Sequence, residues 1–500
     1  MGCWPLRAGG CFSVTTWMAI PNLGPNANPT GPGTSLLQNP SGQGCAPVLD
    51  LAITAFTLAF LTLGFRRPFL WVLAYLYIDI LTPQKISWSL LASLPISLIA
   101  FLLAFGGWLL LDDKRDTRFT LRQALIVALL AYCGITTTIA EFPVEAAEKW
   151  SWVWKALLFA IFLPLTLRTR LRFEAVVTTM VLTVGAILIS GGIKTVGGGG
   201  GYGHMRTLVA ENSGIYEGST LSTVAIMIIP LIWWVARYTT IFPKGKLVTL
   251  FAVALTFAAL MIPIGTQTRT GLLCIALLGV LSLRAVKHRF LYLGAAGALA
   301  LAAIPFLPDS YTERMSTIRE HQSDQSASTR VAVWMWTLDY VQDHPFGGGF
   351  DAYRGNSLLV PTVKEVGPKN NVTLVTEYHV EKARAYHSAY FEMLGEQGYF
   401  GFALWAWIQL LGVWQMERLR RRWKDRKGPD TAWIAPLANA LQLSQIVYFL
   451  GAVFIGVAFQ PVMFMIIGLQ CGLWSYARRI EAPVAAPVIG PRAQLRVTAG

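Results

Sequence analysis

The sequence predicts an all-α polytopic membrane protein of about twelve to thirteen transmembrane helices, and three observations predict it. Of its 500 residues, 54% are hydrophobic and 14% charged, whereas a soluble chain carries about 25% charged residues. Apolar runs of roughly the 17 to 25 residues needed to cross a hydrocarbon core of about 30 Å recur along most of the chain. The segments between them are alternately basic and not, the pattern by which positive residues stay on the cytoplasmic side.

Residues 1–46 are rich in Gly, Pro, Asn and Ser without helical periodicity, and read as a disordered extension. Cys11–Ile20 is too short and too polar for a signal peptide, and the myristoylation pattern fails at Leu6. Spans follow near Leu49–Phe65, Phe69–Leu81, Leu90–Leu111, Leu121–Ile139, Trp150–Leu167, Ala175–Ser190, Ser219–Ala236, Leu247–Ile262, Thr270–Leu283, Leu291–Leu307, Ser388–Gln415, Pro436–Gly456 and Pro461–Tyr476. The second is the shortest. Were it a re-entrant hairpin, the amino terminus would move from outside to inside.

Arg66-Arg67, Asp112–Arg122, Arg168–Arg172, Arg237–Lys246, Arg284–Arg289 and Glu417–Lys427 are the basic, cytoplasmic connections. Thr82–Ser89, Ala140–Lys149, Gly191–Gly218, Gly265–Arg269 and the long polar segment Pro308–Tyr386 fall outside. The chain therefore divides into the extension 1–46, an amino-terminal bundle 47–307, an extracytoplasmic loop 308–387, carboxy-terminal spans 388–476 and a cytoplasmic tail 477–500. The net charge of +14 is absorbed by the cytoplasmic loops, where it faces anionic lipid. No basic stripe with interleaved aromatics marks a nucleic-acid module. Cys3, Cys11 and Cys45 lie in the extension and Cys133, Cys274 and Cys471 in or beside spans, with no CxxC pair, so neither a metal knuckle nor a disulfide framework is expected.

Four places outside the membrane carry chemistry-bearing residues. Ser328–Val341 predicts an amphipathic helix with Val331, Trp334, Met335, Leu338 and Val341 on one face, lying along the interface or capping the bundle. Arg330 stands in its first turn, where a cation opposes the helix dipole, which favours an anion ligand over an ion pair with Glu320 or Asp324. Arg269, in Gly265–Gly271 at the outer end of a span, serves a polar cavity or snorkels. Gly197–Gly201, followed by Tyr202, His204, Arg206 and Glu211-Asn212, is a flexible linker or a close approach to ligand. His387 sits where the long loop re-enters the membrane. From it Tyr390, Phe391 and Leu394 share a helix face, while Glu392 and Glu396 point about 140° and about 180° away. Lys382 and Arg384 precede it, as solvated loop charges or as attractors of lipid phosphate.

Gly265–Gly271 with Arg269, the Ser328–Trp334 segment, His344–Gly349, and Tyr386–Tyr390 followed by Glu396–Gly401 together resemble the O-antigen ligase and polymerase superfamily. The amino-terminal half, with Arg66–Pro68, Thr82-Pro83 and Glu211–Pro230, is similar to O-glycosylation ligases found beside exosortase systems. The resemblance covers roughly residues 50 to 476. It implies a C-type membrane glycosyltransferase that moves a glycan from an undecaprenyl diphosphate carrier to an acceptor hydroxyl on the outer face of the bacterial cytoplasmic membrane. It implies Arg269, Arg330 and His387 as catalytic residues, with Arg206, Lys382, Arg384 and Tyr390 as substrate contacts. His387-Ser388 departs from the family's frequent His-Asn, which bears on the acceptor.

Those side chains suit the reaction. Guanidinium groups donate paired hydrogen bonds to diphosphate oxygens and can stabilise the leaving group without a metal. No DxD motif occurs in the outer loops, and no cofactor is expected. His387 can accept the hydroxyl proton or hydrogen-bond the donor. Lipid A core, protein and another carrier-linked glycan remain alternative acceptors, so ligase and polymerase both stand. A transporter or flippase is the alternative of another class, but no internal repeat surrounds a midplane site.

Overall fold

The computed structural model describes residues 46–481 apart from 88–89, 115–116, 200, 202–204, 210–212, 286–287, 289–290, 292–293, 295–296, 299–324, 367–372, 427 and 429. From Val48 onward they belong to one compact unit. Most of the expected span Leu291–Leu307, the extension 1–45, the tail beyond 481, and Tyr202, His204, Glu211, Asn212, Glu320 and Asp324 lie outside the described residues.

Helices α1 (Ala46–Leu63), α2 (Phe69–Leu81), α3 (Pro83–Ile86), α4 (Leu90–Ser93), α5 (Ile96–Leu111), α6 (Leu121–Thr138), α7 (Pro143–Thr166), α8 (Arg170–Val196), α9 (Gly218–Tyr238), α10 (Lys246–Thr266) and α11 (Arg269–Ser282) form the amino-terminal bundle. Then come α12 (Gln325–Asp343), an antiparallel hairpin of β1 (Ser357–Val366) and β2 (Thr373–Lys382), α13 (Ala389–Trp423), α14 (Ile434–Ala452) and α15 (Pro461–Glu481). Five helices, α6, α8, α9, α10 and α14, are long and apolar enough to cross a membrane. The chain is a helical polytopic membrane protein.

Three elements differ from the periodicity. The weak second span is α2, 13 residues and so roughly 20 Å long. Nearly all of it is buried, between α5 and α8. Trp71 anchors it, donating to Leu61 O at 2.8 Å and filling the space a side chain would need at Gly64 and Gly107. The third span breaks before Pro95 into α4 and α5, because proline disfavours helical backbone in the residue before it. The hairpin was not legible as such. Its register pairs Ser357 with Lys382 and Leu359 with Val380.

The connections read as basic meet at one end of the bundle. Arg172 forks onto Asp112 at 2.7 and 2.8 Å, Arg479 donates to Arg168 O at 2.6 Å, and Arg422 pairs with Glu481 at 2.7 Å. Arg122 is the exception. It is fully buried, donating to Ile408 O at 2.8 Å and Gln470 Oε1 at 2.7 Å. Gln470 continues to Gln445, and Gln445 to Gln409. This polar relay pins α6, α13, α14 and α15 together in the interior.

Candidate active site

At the opposite end, the long polar segment folds back onto α13. That helix contains a break: Gly398 has φ 63° and ψ −169°, which leaves backbone carbonyls without helical donors. Gly348 N donates to Gly395 O at 3.1 Å, Gly349 N to Glu396 O at 3.0 Å, and Tyr399 N to Pro345 O at 3.0 Å. A Cβ at Gly398 would collide with Pro345 O, and one at Gly347, where φ is 82°, with Glu396 O. The glycine run after His344 is therefore a docking seam.

Docking builds a buried ion cluster. Lys149 of α7 reaches Glu392 Oε1 at 2.6 Å and Glu396 Oε1 at 2.8 Å, with Asp351 at 3.8 Å. Asp351 N donates to Glu396 Oε1 at 3.0 Å and Ala458 N to Glu392 Oε2 at 2.9 Å. Charges this deep persist only when paired and hydrogen-bonded. The cluster joins α7, α13 and the loop.

Above it opens a cavity of about 640 Å³. Its acids are Glu145, Glu148, Glu217, Asp351, Glu392 and Glu396, and its cations Lys149, Arg330 and Arg354, with His387 at the mouth. Lys149 is taken by the cluster, and Arg354 faces Glu145 at 3.5 Å. Arg330 has no ion pair among the described residues, and Trp334, one turn later, anchors the helix that carries it. The Trp334 indole donates to Tyr386 O at 2.9 Å and stacks on Phe391 at 5.0 Å.

His387 has φ 47° and Asp351 φ 59°, a left-handed backbone that a non-glycine residue holds only when its surroundings enforce it. The imidazole is partly withdrawn from water and faces Arg330. Both effects hold its pKa below the ordinary value, Arg384 adds to them, and Glu217 opposes. Glu217 is fixed by capping α9, accepting from Ser219 N at 3.1 Å and Thr220 N at 2.6 Å. Burial foremost, then the flanking Glu145 and Glu392 carboxylates, raises the Asp351 pKa against the pull of Lys149 and Arg354. The buried Tyr386 hydroxyl, whose pKa burial raises, has no hydrogen-bond partner among the described residues.

Of the residues the sequence singled out, Arg330 and His387 share this cavity. Arg269 begins α11 beside it without lining it. Its turn packs Thr266 and Thr268 against Gly218, the neighbour of Glu217. Arg206 is exposed, on a segment tied to the same turn through Gly201 N and Gly265 O at 2.8 Å. Arg384 pairs with Glu381 and exchanges hydrogen bonds with Asn356. Lys382 is exposed at the end of β2. Tyr390 points into the core, donating to Phe449 O at 3.0 Å and packing on Trp405. Lys149 and Asp351 carried no sequence signal of their own, and Glu392 and Glu396, which the sequence turned away from His387 on the helix, line the same cavity as it does. Among the described residues no group of three His, Cys, Asp or Glu side chains is placed to hold a metal ion.

Two of the cavity's cations, Arg330 and Arg354, and its imidazole come from a stretch that matches a known family. Residues 252–406 match the O-antigen ligase family. This chain carries a domain of the O-antigen ligase superfamily. Arg269, Arg330 and His387 all lie in the O-antigen ligase match, whereas Lys149 and Glu217 fall within residues 48–240, which match a family of unknown function, DUF5935. The cavity thus draws on both matches and on residues 454–460, which neither covers. No curated protein matches the chain significantly.

Proposed function

We propose that the chain transfers a glycan from an undecaprenyl-diphosphate carrier to an acceptor hydroxyl at the extracytoplasmic face of the bacterial cytoplasmic membrane. The observation that carries this reading is that Arg330, with no ion pair among the described residues, and His387, both from the O-antigen ligase match, line one cavity. Cleaving a sugar–diphosphate bond leaves negative charge on the diphosphate, which a guanidinium stabilises through paired hydrogen bonds. Arg330 takes that place, with Arg269 reaching the lipid-linked end from the adjoining turn. His387, kept neutral by its surroundings, accepts the proton of the attacking hydroxyl. The carboxylates of the opposite wall accept hydrogen bonds from sugar hydroxyls and keep a second anion out. The mechanism needs no metal.

The test is transfer by the purified protein in lipid nanodiscs, supplied with a carrier-diphosphate glycan and, in turn, a lipid, a peptide or a second carrier-linked glycan. Glycan appearing on the lipid or peptide identifies a ligase, and lengthening of the carrier-linked glycan a polymerase. Absence of transfer to every acceptor, from protein that binds donor, would overturn the reading. So would activity lost in chelator and restored by magnesium or manganese, for the metal-free step.

A further inference from the structure

A surplus of unpaired charge lies at the other end of the bundle. There the carboxy-terminal ends of α9, α11 and α13 and the start of α14 enclose a cavity of about 780 Å³. Arg237, Arg284, Arg420, Lys424 and Arg426 line it, and no carboxylate does. Three helix carboxy termini carry roughly half a negative charge each, and Glu417 behind the wall pairs with Arg420 at 2.7 Å and Arg284 at 3.8 Å. These offset about half of the positive charge. Arg237, Lys424 and Arg426 have no ion pair among the described residues. Two of them are held over indole rings, Arg237 at 4.9 Å from Trp233 and Arg426 at 4.1 Å from Trp423, which fixes the guanidinium groups without neutralising them.

We propose that this cavity binds an anionic membrane phospholipid, its phosphate held by Arg237, Lys424 and Arg426 and its acyl chains along Ile229, Leu278 and Leu281. The apolar wall distinguishes this ligand from a soluble phosphate. A cationic mouth on an apolar slot between helices fits an amphiphile with its charge at one end. A free anion would leave the slot wet. The partly exposed Trp233 indole suits the depth of lipid headgroups. The site is separate from the glycan cavity, because Thr220 lines that one and Arg237 this one, opposite ends of a helix of 21 residues, roughly 30 Å long.

The experiment compares the thermal unfolding midpoint of the full-length protein in nanodiscs of phosphatidylcholine and of phosphatidylcholine with phosphatidylglycerol, together with phospholipid retained in native mass spectrometry. The protein should be stabilised by the anionic lipid and retain it. The triple substitution Arg237→Gln, Lys424→Gln, Arg426→Gln should abolish the shift and lower retention roughly a hundredfold, at about a factor of five per cation. It should leave the midpoint in pure phosphatidylcholine unchanged, which separates loss of the site from loss of the fold. An undiminished shift in the triple variant overturns the proposal. An equal shift produced by glycerol phosphate in phosphatidylcholine overturns the lipid as its source. Neither readout uses glycan transfer, so the result stands apart from the proposed activity.

Discussion

The two ends of α9, α13 and α14 hold cavities of similar size and opposite character. One, about 640 Å³, mixes six carboxylates with three cations and a histidine. The other, about 780 Å³, has five cations and no acid. A search for a diphosphate site by surplus charge would choose the second. The first is where the backbone is held left-handed at His387 and Asp351 and where every cation but Arg330 is neutralised by a placed carboxylate. Excess charge attracts anions without orienting them; catalysis needs one uncommitted donor at a defined position.

The sharpest way to break this comparison is to show that the ends do not face opposite sides. After removal of native thiols, Ser357→Cys should react with an impermeant reagent from outside the cell and Ser475→Cys should not. The reverse pattern would invert the bundle. Next in size is activity: Arg330→Ala, Arg330→Lys and His387→Ala should each lower glycan transfer by a factor of about a hundred or more at matched membrane abundance. Lysine fails because it keeps the charge but loses the planar fork. Near wild-type transfer by Arg330→Lys would reduce its role to bulk charge.

Stability comes third. Lys149→Met leaves Glu392 and Glu396 buried together without a counter-charge and should cost about 3 to 5 kcal/mol, read as a lowered unfolding midpoint. Adding Glu396→Gln should recover part of it, and no recovery would show that the lysine stem, not its charge, matters. The smallest effect is in pH. Because the His387 pKa lies below its ordinary value, near 6.5, the imidazole stays neutral as the pH falls through that value. The acid limb of transfer should therefore lie lower still. The same depression means the unfolded chain protonates first, so this residue's contribution to stability falls with pH in that window. Arg330→Gln removes a like charge, so the residual activity should show its limb at higher pH; an unmoved limb would separate the two residues.

The helices were legible because a hydrocarbon solvent imposes apolar runs, and the shared end of the basic connections because loop charge is patterned by side. The face of α12 was not. The sequence pointed to Val331, Trp334, Met335, Leu338 and Val341; of these Val341 is buried and Trp334 half-buried, but Val331, Met335 and Leu338 are exposed, while Val333 and Thr337 are buried instead. Thr337 can be buried because its hydroxyl bonds to Val333 O at 2.7 Å, within the helix, and a hydrophobicity pattern counts it as polar. The hairpin 357–382 hid in a polar stretch because a two-stranded ribbon needs little burial of its own. His387 and Arg330 could be found because each is an oddity in its own segment. Lys149, Glu392 and Glu396 could not, since each is unremarkable until α7 and α13 are brought together. Arg122 misled in the other direction, a loop cation by position and an interior one by fold.

The break at Gly398 makes two events one. Of its freed carbonyls, Gly395 O and Glu396 O are taken by the turn at Gly347–Gly349 and Gln397 O by the Tyr132 hydroxyl, so a continuous α13 and a docked loop exclude each other: a residue that healed the helix would expel the loop, and with it Asp351. Variation among relatives of this chain should consequently concentrate in the hairpin 357–382, none of whose described residues lines the cavity. The seam, by contrast, has to change on both sides at once or not at all.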